Sequence, residues 1–135
     1  MNTRFELVRI GGVPVYLDMM FLLVLILFGY PYFTKGDTQL VSSGFVIIIG
    51  ILLSLLLHEL AHAAVARMCG VRTSEIELTG LGGVARFANA LPRSVLIKTA
   101  IYLAGPAANL LLWLGLEQAA VAVLGSGRFM LTSTL

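Results

Sequence analysis

The sequence predicts an all-α polytopic membrane protein with three transmembrane helices and a small β-strand/hairpin element at the cytoplasmic face. Three observations carry that expectation. The 135 residues are 59% hydrophobic and only 12% charged, outside the balance of soluble domains. The run 41–66 (VSSGFVIIIGILLSLLLHELAHAAVA) holds no ionisable side chain except His58, Glu59 and His62. At about 1.5 Å of rise per residue, a helix of that length crosses the ~30 Å hydrocarbon layer of a bilayer. Two further apolar runs, 17–33 and 95–116, flank it. The length suits one domain. A net charge of +2 makes no case for a nucleic-acid partner, and the single cysteine, Cys69, excludes an internal disulfide framework.

Taken in order, residues 1–18 alternate apolar and polar around Phe5, Leu7 and Val8, turn at Gly11 and Gly12, and continue through Val13, Pro14, Val15, Tyr16 and Leu17. This pattern reads as a short strand, a turn and an extended lead-in to the membrane. Glu6 interrupts any signal-peptide pattern and no small-residue cleavage site follows, so the first apolar segment is expected to stay in the mature protein. The first span, 17–33, starts with Asp18 at the headgroup boundary. It ends in Tyr30, Tyr32 and Phe33, rings that favour the interface, with Pro31 marking a helix end. Residues 34–40, containing Lys35 and Asp37, form a polar loop before the second span, 41–66, which Arg67, Cys69 and Gly70 close.

The stretch 71–94 is the longest outside the predicted spans. Glu75, Ile76, Glu77 and Leu78 alternate like a half-buried strand, and Val84, Ala85, Arg86 and Phe87 can return as its partner. Between them Gly80, Leu81, Gly82 and Gly83 read as a turn or a close-approach backbone, and a plain hairpin turn suits Gly82 and Gly83 better than a phosphate cradle, since no nucleotide fingerprint accompanies them. The third span starts near Val95 and runs to about Leu116. Pro106 within it lacks an N–H, so a kink is expected. Gly105 and Ala108 are small enough to let another helix approach, and Asn109 suits either an interhelical hydrogen bond or a contact to a substrate backbone. Residues 129–135 read as the beginning of a further apolar segment. Arg4, Arg9, Arg67, Arg72, Arg86, Arg93 and Lys98 fall on one side of these spans, Lys35 and Arg128 on the other. That bias describes a multi-pass protein of the cell membrane whose N-terminus and 67–98 segment are cytoplasmic.

Ionisable groups within a span are costly, and three together point to chemistry. His58 and His62, the only histidines, stand at i and i+4 on one helix face, where both imidazoles can reach one ion with Glu59 beside them to handle protons. A zinc ion (Zn2+, one per chain) held there would supply the activated water that peptide hydrolysis needs inside a membrane.

Four motifs occur in order: Gly11 to Val15 (GGVPV), HELAH at 58–62, GGVA at 82–85 and AGPAAN at 104–109. Together they resemble the site-2 proteases, the intramembrane zinc metalloproteases of peptidase family M50. With HExxH in the second span and no PDZ-like insertion, the chain is most similar to the compact branch that includes sporulation-factor-processing proteases. The resemblance implies an endopeptidase that cleaves transmembrane or membrane-tethered substrates in regulated intramembrane proteolysis. It implies zinc on His58 and His62, Glu59 as general base, and a substrate cleft near Asn109, Gly105, Pro106, Gly82 and Gly83. The family's third ligand, an Asp in a downstream N-P-x-x-P-L-D-G-type motif, has no counterpart here. Asp18 is the internal stand-in and Cys69 a weaker one. Residues 1–135 are therefore expected to form the N-terminal part of one protease domain, inactive alone, with an unpartnered polar helix face that favours a homo-oligomer. The competing readings are a non-catalytic membrane adaptor, an inactive metal-binding fragment of such a protease, and a metal transporter. The absence of repeats disfavours the last.

Overall fold

The computed structural model describes residues 3–125. In it, β1 (Arg4–Ile10), β2 (Val13–Asp18), α1 (Met19–Phe33), α2 (Thr38–Met68), β3 (Thr73–Thr79), β4 (Gly82–Phe87) and α3 (Val95–Leu124) follow one another. Residues 129–135 and Arg128, invoked above, lie outside the described residues.

The all-α expectation with a minor hairpin is corrected by the strands. They form one four-stranded mixed sheet in the order β1-β2-β3-β4. Two antiparallel hairpins are joined by a parallel pairing of Val15, Tyr16 and Leu17 with Ile76, Glu77 and Leu78. The physical reason is burial. Period-2 alternation puts Val15 and Leu17 of one hairpin and Ile76 and Leu78 of the other on the same face, and all four are buried against Phe21 and Leu25 of α1. A lone hairpin cannot cover such a face. Joining the two creates one apolar surface, on which α1 and the α2 residues Ile48, Leu52, Leu56 and Leu60 pack.

The opposite face of the sheet is polar. Arg4 reaches from β1 across the Tyr16 ring, 4.4 Å from its centroid, to Glu75 at 2.8 Å and Glu77 at 3.1 Å. Arg86 of β4 closes on the same carboxylates at 2.9 and 3.0 Å. This ladder ties all four strands together. The Arg4 guanidinium, hydrogen-bonded to Glu75, holds that carboxyl below the usual carboxylate range.

The expectation of three spans is also corrected. Among the described residues, α2 and α3 are the helices long and apolar enough to cross a membrane. α1 has 15 residues, a rise of only ~22 Å. Leu17 and Asp18, counted in the first span above, belong to β2 because their backbone pairs with β1. α2 is longer than 41–66 at both ends. Asp37 caps its start, accepting from the Gln39 N–H at 2.9 Å. It ends at Cys69 and Gly70, whose φ of +82° suits glycine. α3 runs on through Pro106 and packs along α2, pinned at its base by buried Ile101 against Ala66 and Val71.

Candidate metal centre

The three ionisable residues of the HELAH motif in α2 project toward two different neighbours. His58 and His62, half-buried, face α3, their ring centroids 4.8 Å apart and nearly perpendicular. Glu59 turns to the sheet and is 4% exposed. Their ligand atoms all lie within 4.8 Å of one another. This follows from helix geometry for the two histidines, and for Glu59 from the strand β4 lying against α2.

Two glycines make room for this cluster. A Cβ built on Gly105 would overlap the Nε2 atoms of both imidazoles, and one built on Gly83 would overlap the Glu59 carboxyl. Any larger residue at either place would push a functional side chain aside. Backbone and side-chain groups then hold the rings. The His62 Nδ1–H donates to the Ile101 carbonyl oxygen at 2.6 Å. The Asn109 amide lies 3.2 Å from His58 Nδ1, and its other end lies 3.5 Å from the Ser54 hydroxyl. The backbone N–H of Ala85 donates to the Glu59 carboxylate.

This donor set fits a zinc ion. Two imidazole nitrogens and a carboxylate converge, each ring is oriented through its other nitrogen as metal-bound histidines are, and Gly105 leaves both Nε2 atoms uncovered by a side chain.

The structure thus brings together His58, Glu59, His62, Gly83, Gly105 and Asn109. Other residues singled out from the sequence lie elsewhere. Gly82 opens β4 at φ +130° with open space around it, and Pro106 is on the exposed side of α3. Asp18 sits at the end of β2, where it accepts from the Thr3 hydroxyl at 3.0 Å, and it is not part of the His–Glu–His cluster. Cys69 packs beside Ala66, Val71 and Ile101. A cleft of about 960 Å³ opens between the end of α2 and the β1–β2 turn, near Gly11, Gly12, Arg67 and Arg72, and none of the three cluster residues lines it.

Sequence reasoning missed three participants. Ser54 stands four residues before His58, the one hydroxyl in the apolar run 51–57, and that spacing could have flagged it. The Ile101 carbonyl and the Ala85 N–H are backbone groups, which leave no trace in residue identity.

Comparison with known proteins adds the following. A model of peptidase family M50 matches residues 46–129, from within α2 past the end of α3. The chain is 37% identical over 87 residues to a zinc metalloprotease of Methanocaldococcus jannaschii, covering 63% of this chain and 24% of that protein. It is also similar to the solved structure of a site-2 protease from Methanocaldococcus jannaschii, with a TM-score of 0.63 and 30% identity over 78% of this chain and 45% of that one. The chain therefore spans less than half the length of either relative.

Proposed function

Since the chain belongs to peptidase family M50, matched along residues 46–129, we propose that it carries the zinc-binding part of an intramembrane endopeptidase acting on transmembrane or membrane-tethered proteins. One observation carries the proposal. Two imidazoles and a buried carboxylate share one turn of a helix that is otherwise apolar enough to cross a bilayer, an expensive arrangement unless it is used. The zinc metalloprotease and site-2 protease named above support the choice of metal and reaction.

In this reading α2 and α3 cross the cell membrane, and the short α1 runs beside α2 and carries the chain from the sheet to the start of α2 on the far side. The sheet lies at the cytoplasmic side, where the bias of arginine and lysine puts it. Zinc, when bound, acts as a Lewis acid that acidifies water and polarises the scissile carbonyl. His58 and His62 offer their Nε2 atoms as ligands, held in place through Ile101 and Asn109. Glu59 takes the proton of the attacking water and delivers it to the leaving amine. Its contact with Gly83 and the Ala85 N–H keeps the carboxylate aimed at the cluster. β4 is an edge strand, so an extended substrate segment can align along it beside Glu59. Catalytic zinc commonly has three protein ligands. With Asp18 bonded to Thr3 instead, the third is expected from polypeptide outside the described residues.

The test is the metal content of this chain beside cleavage of a model membrane-spanning substrate by protein that also carries the segment supplying the third ligand. Purified protein should carry up to one zinc per chain, lost in the H58A/H62A double variant. Glu59→Gln should retain the metal while cleavage falls by about 10²–10⁴-fold, the usual contribution of a general base. Equal zinc in wild type and the double variant would refute the ligand assignment. Cleavage indifferent to Glu59 would refute its role, and zinc without any cleavage would favour the non-catalytic adaptor.

A further inference from the structure

We propose that the cleft between the end of α2 and the β1–β2 turn binds one anionic phospholipid, its phosphate on Arg67 and Arg72 and an acyl chain along the apolar wall. The inference rests on the membrane reading above, under which this end of α2 lies at the cytoplasmic boundary. The wall follows from helix geometry. Leu60, Ala63, Ala64, Arg67 and Met68 line the cleft and stand at i, i+3, i+4, i+7 and i+8, one stripe of α2. His58 and His62 lie against Gly105 and Ile101 of α3 instead, and no residue of α3 lines the cleft. Ile10 and Val13 of the hairpin form the facing wall. Ile10 and Met68 are exposed, so the apolar lining runs out to the surface, where a hydrocarbon chain can enter.

Its charges set the cleft apart. The arginines of the sheet each have a carboxylate partner: Arg4 and Arg86 share Glu75 and Glu77, and Arg9 meets Glu6 at 2.6 Å. Among the described residues neither Arg67 nor Arg72 has an ion pair or a side-chain hydrogen bond, and no aspartate or glutamate lines the cleft. The Arg67 guanidinium reaches over to the β1–β2 turn, where Nη1 lies 3.9 Å from the place of a Cβ on Gly11. A cation in the last turn of a helix also answers the helix dipole, and both arginines add to the cytoplasmic bias. Neither effect accounts for two uncompensated guanidiniums beside one apolar wall. An amphiphile answers both features, since the arginine fork matches phosphate oxygens and the wall takes hydrocarbon. Basic pockets on the cytoplasmic side of membrane helices hold anionic headgroups in this way. A free phosphate would leave the wall uncovered, and a zwitterionic lipid would bring a further cation to the arginines.

The test is lipid binding by the chain in a non-ionic detergent, read as lipid retained in native mass spectrometry and as the rise in unfolding temperature on titration. Phosphatidylglycerol should be retained at one per chain and should raise the unfolding temperature; phosphatidylcholine and glycerol 3-phosphate should do neither. Arg67→Gln and Arg72→Gln should each weaken phosphatidylglycerol by about 5-fold, and R67Q/R72Q by about 25-fold, as expected for one membrane-surface charge apiece. Ala64→Leu fills the wall without altering charge and should weaken the lipid as well. These single changes, all at exposed positions, decide the matter if the double variant does not fold. R93Q/K98Q removes two charges from the same side of the membrane but outside the cleft, and it should bind as wild type does. Equal losses in R93Q/K98Q and R67Q/R72Q, or equal retention of phosphatidylcholine, would overturn the proposal. Glycerol 3-phosphate bound as tightly as the lipid, with Ala64→Leu unaffected, would overturn it in favour of a soluble phosphate. Protein that stays in solution without detergent would overturn the membrane reading and this site together. Protein that needs detergent yet shows no preference for phosphatidylglycerol would overturn this site alone.

Discussion

Gly105→Ala tests whether the close approach of α3 to the imidazoles is needed. Within a helix this substitution ordinarily stabilises by about 1 kcal/mol through backbone entropy. Gly115, on the same helix with open space around it, should show that gain and serves as the control. At Gly105 the added methyl meets both Nε2 atoms. These are not the free ends of flexible chains, because each ring is tied at Nδ1, one at 2.6 Å to Ile101 and the other at 3.2 Å to Asn109. Either the rings leave their partners or α3 moves off α2, an overpacking cost of about 1–3 kcal/mol. Carried into metal binding, that cost is a loss of about 5- to 160-fold in affinity. Chelator competition and thermal unfolding of the two variants in detergent measure both terms. G115A should unfold at or above the wild-type temperature with unchanged zinc affinity; G105A should lose affinity and unfold below G115A. Equal zinc affinity in the two would refute the geometry of the site.

Two other outcomes are expected. Glu75, held below the ordinary carboxylate range by Arg4, stabilises the fold above its unfolded value of about 4.3, and that contribution is lost as pH falls through the lower folded value. Glu75→Gln should lower the unfolding temperature at neutral pH and flatten its decline in acid, and an unchanged acid slope would show the ladder to be inert. In a Cys69→Ala background, a cysteine at exposed Ser74 should be labelled from the cytoplasmic side and one at Thr38 from the other; the reverse pattern would invert the orientation.

What was legible in the sequence was local. Helix geometry alone puts His58 and His62 on one face, and α2 (Thr38–Met68) contains the whole run from which that was read. The alternation at Glu75, Ile76, Glu77 and Leu78 marks β3, whereas Gly82 and Gly83, read as a hairpin turn, open β4, and the turn itself is Gly80 and Leu81. What was not legible was pairing at a distance. Nothing in VPVYL announces that it will lie parallel to SEIEL, because an extended segment with one apolar face suits many partners. The same gap hid the length of α1: Leu17 and Asp18 are as acceptable at a helix start as in a strand, and only the β1 and β3 neighbours decide. At the site, the run from Gly80 to Gly83 read as a turn or a close-approach backbone, but that Gly83 approaches Glu59 was not legible, since the contact joins elements that only the assembled sheet brings together.

The parallel pairing of β2 with β3 has a consequence for biosynthesis. A ribosome makes β1 and β2 first, and their hairpin then waits with the outer edge of Val15, Tyr16 and Leu17 unpaired. Its partner lies about sixty residues later, beyond both α1 and α2, a separation that makes such contacts form late. An open apolar edge is a template for wrong partners in the meantime. β4 follows β3, so Gly83 and the Ala85 N–H reach Glu59 after α2 is already complete. The carboxylate gets its support only when the nascent chain has closed the sheet, so the His–Glu–His cluster is not fully formed before β4 is made.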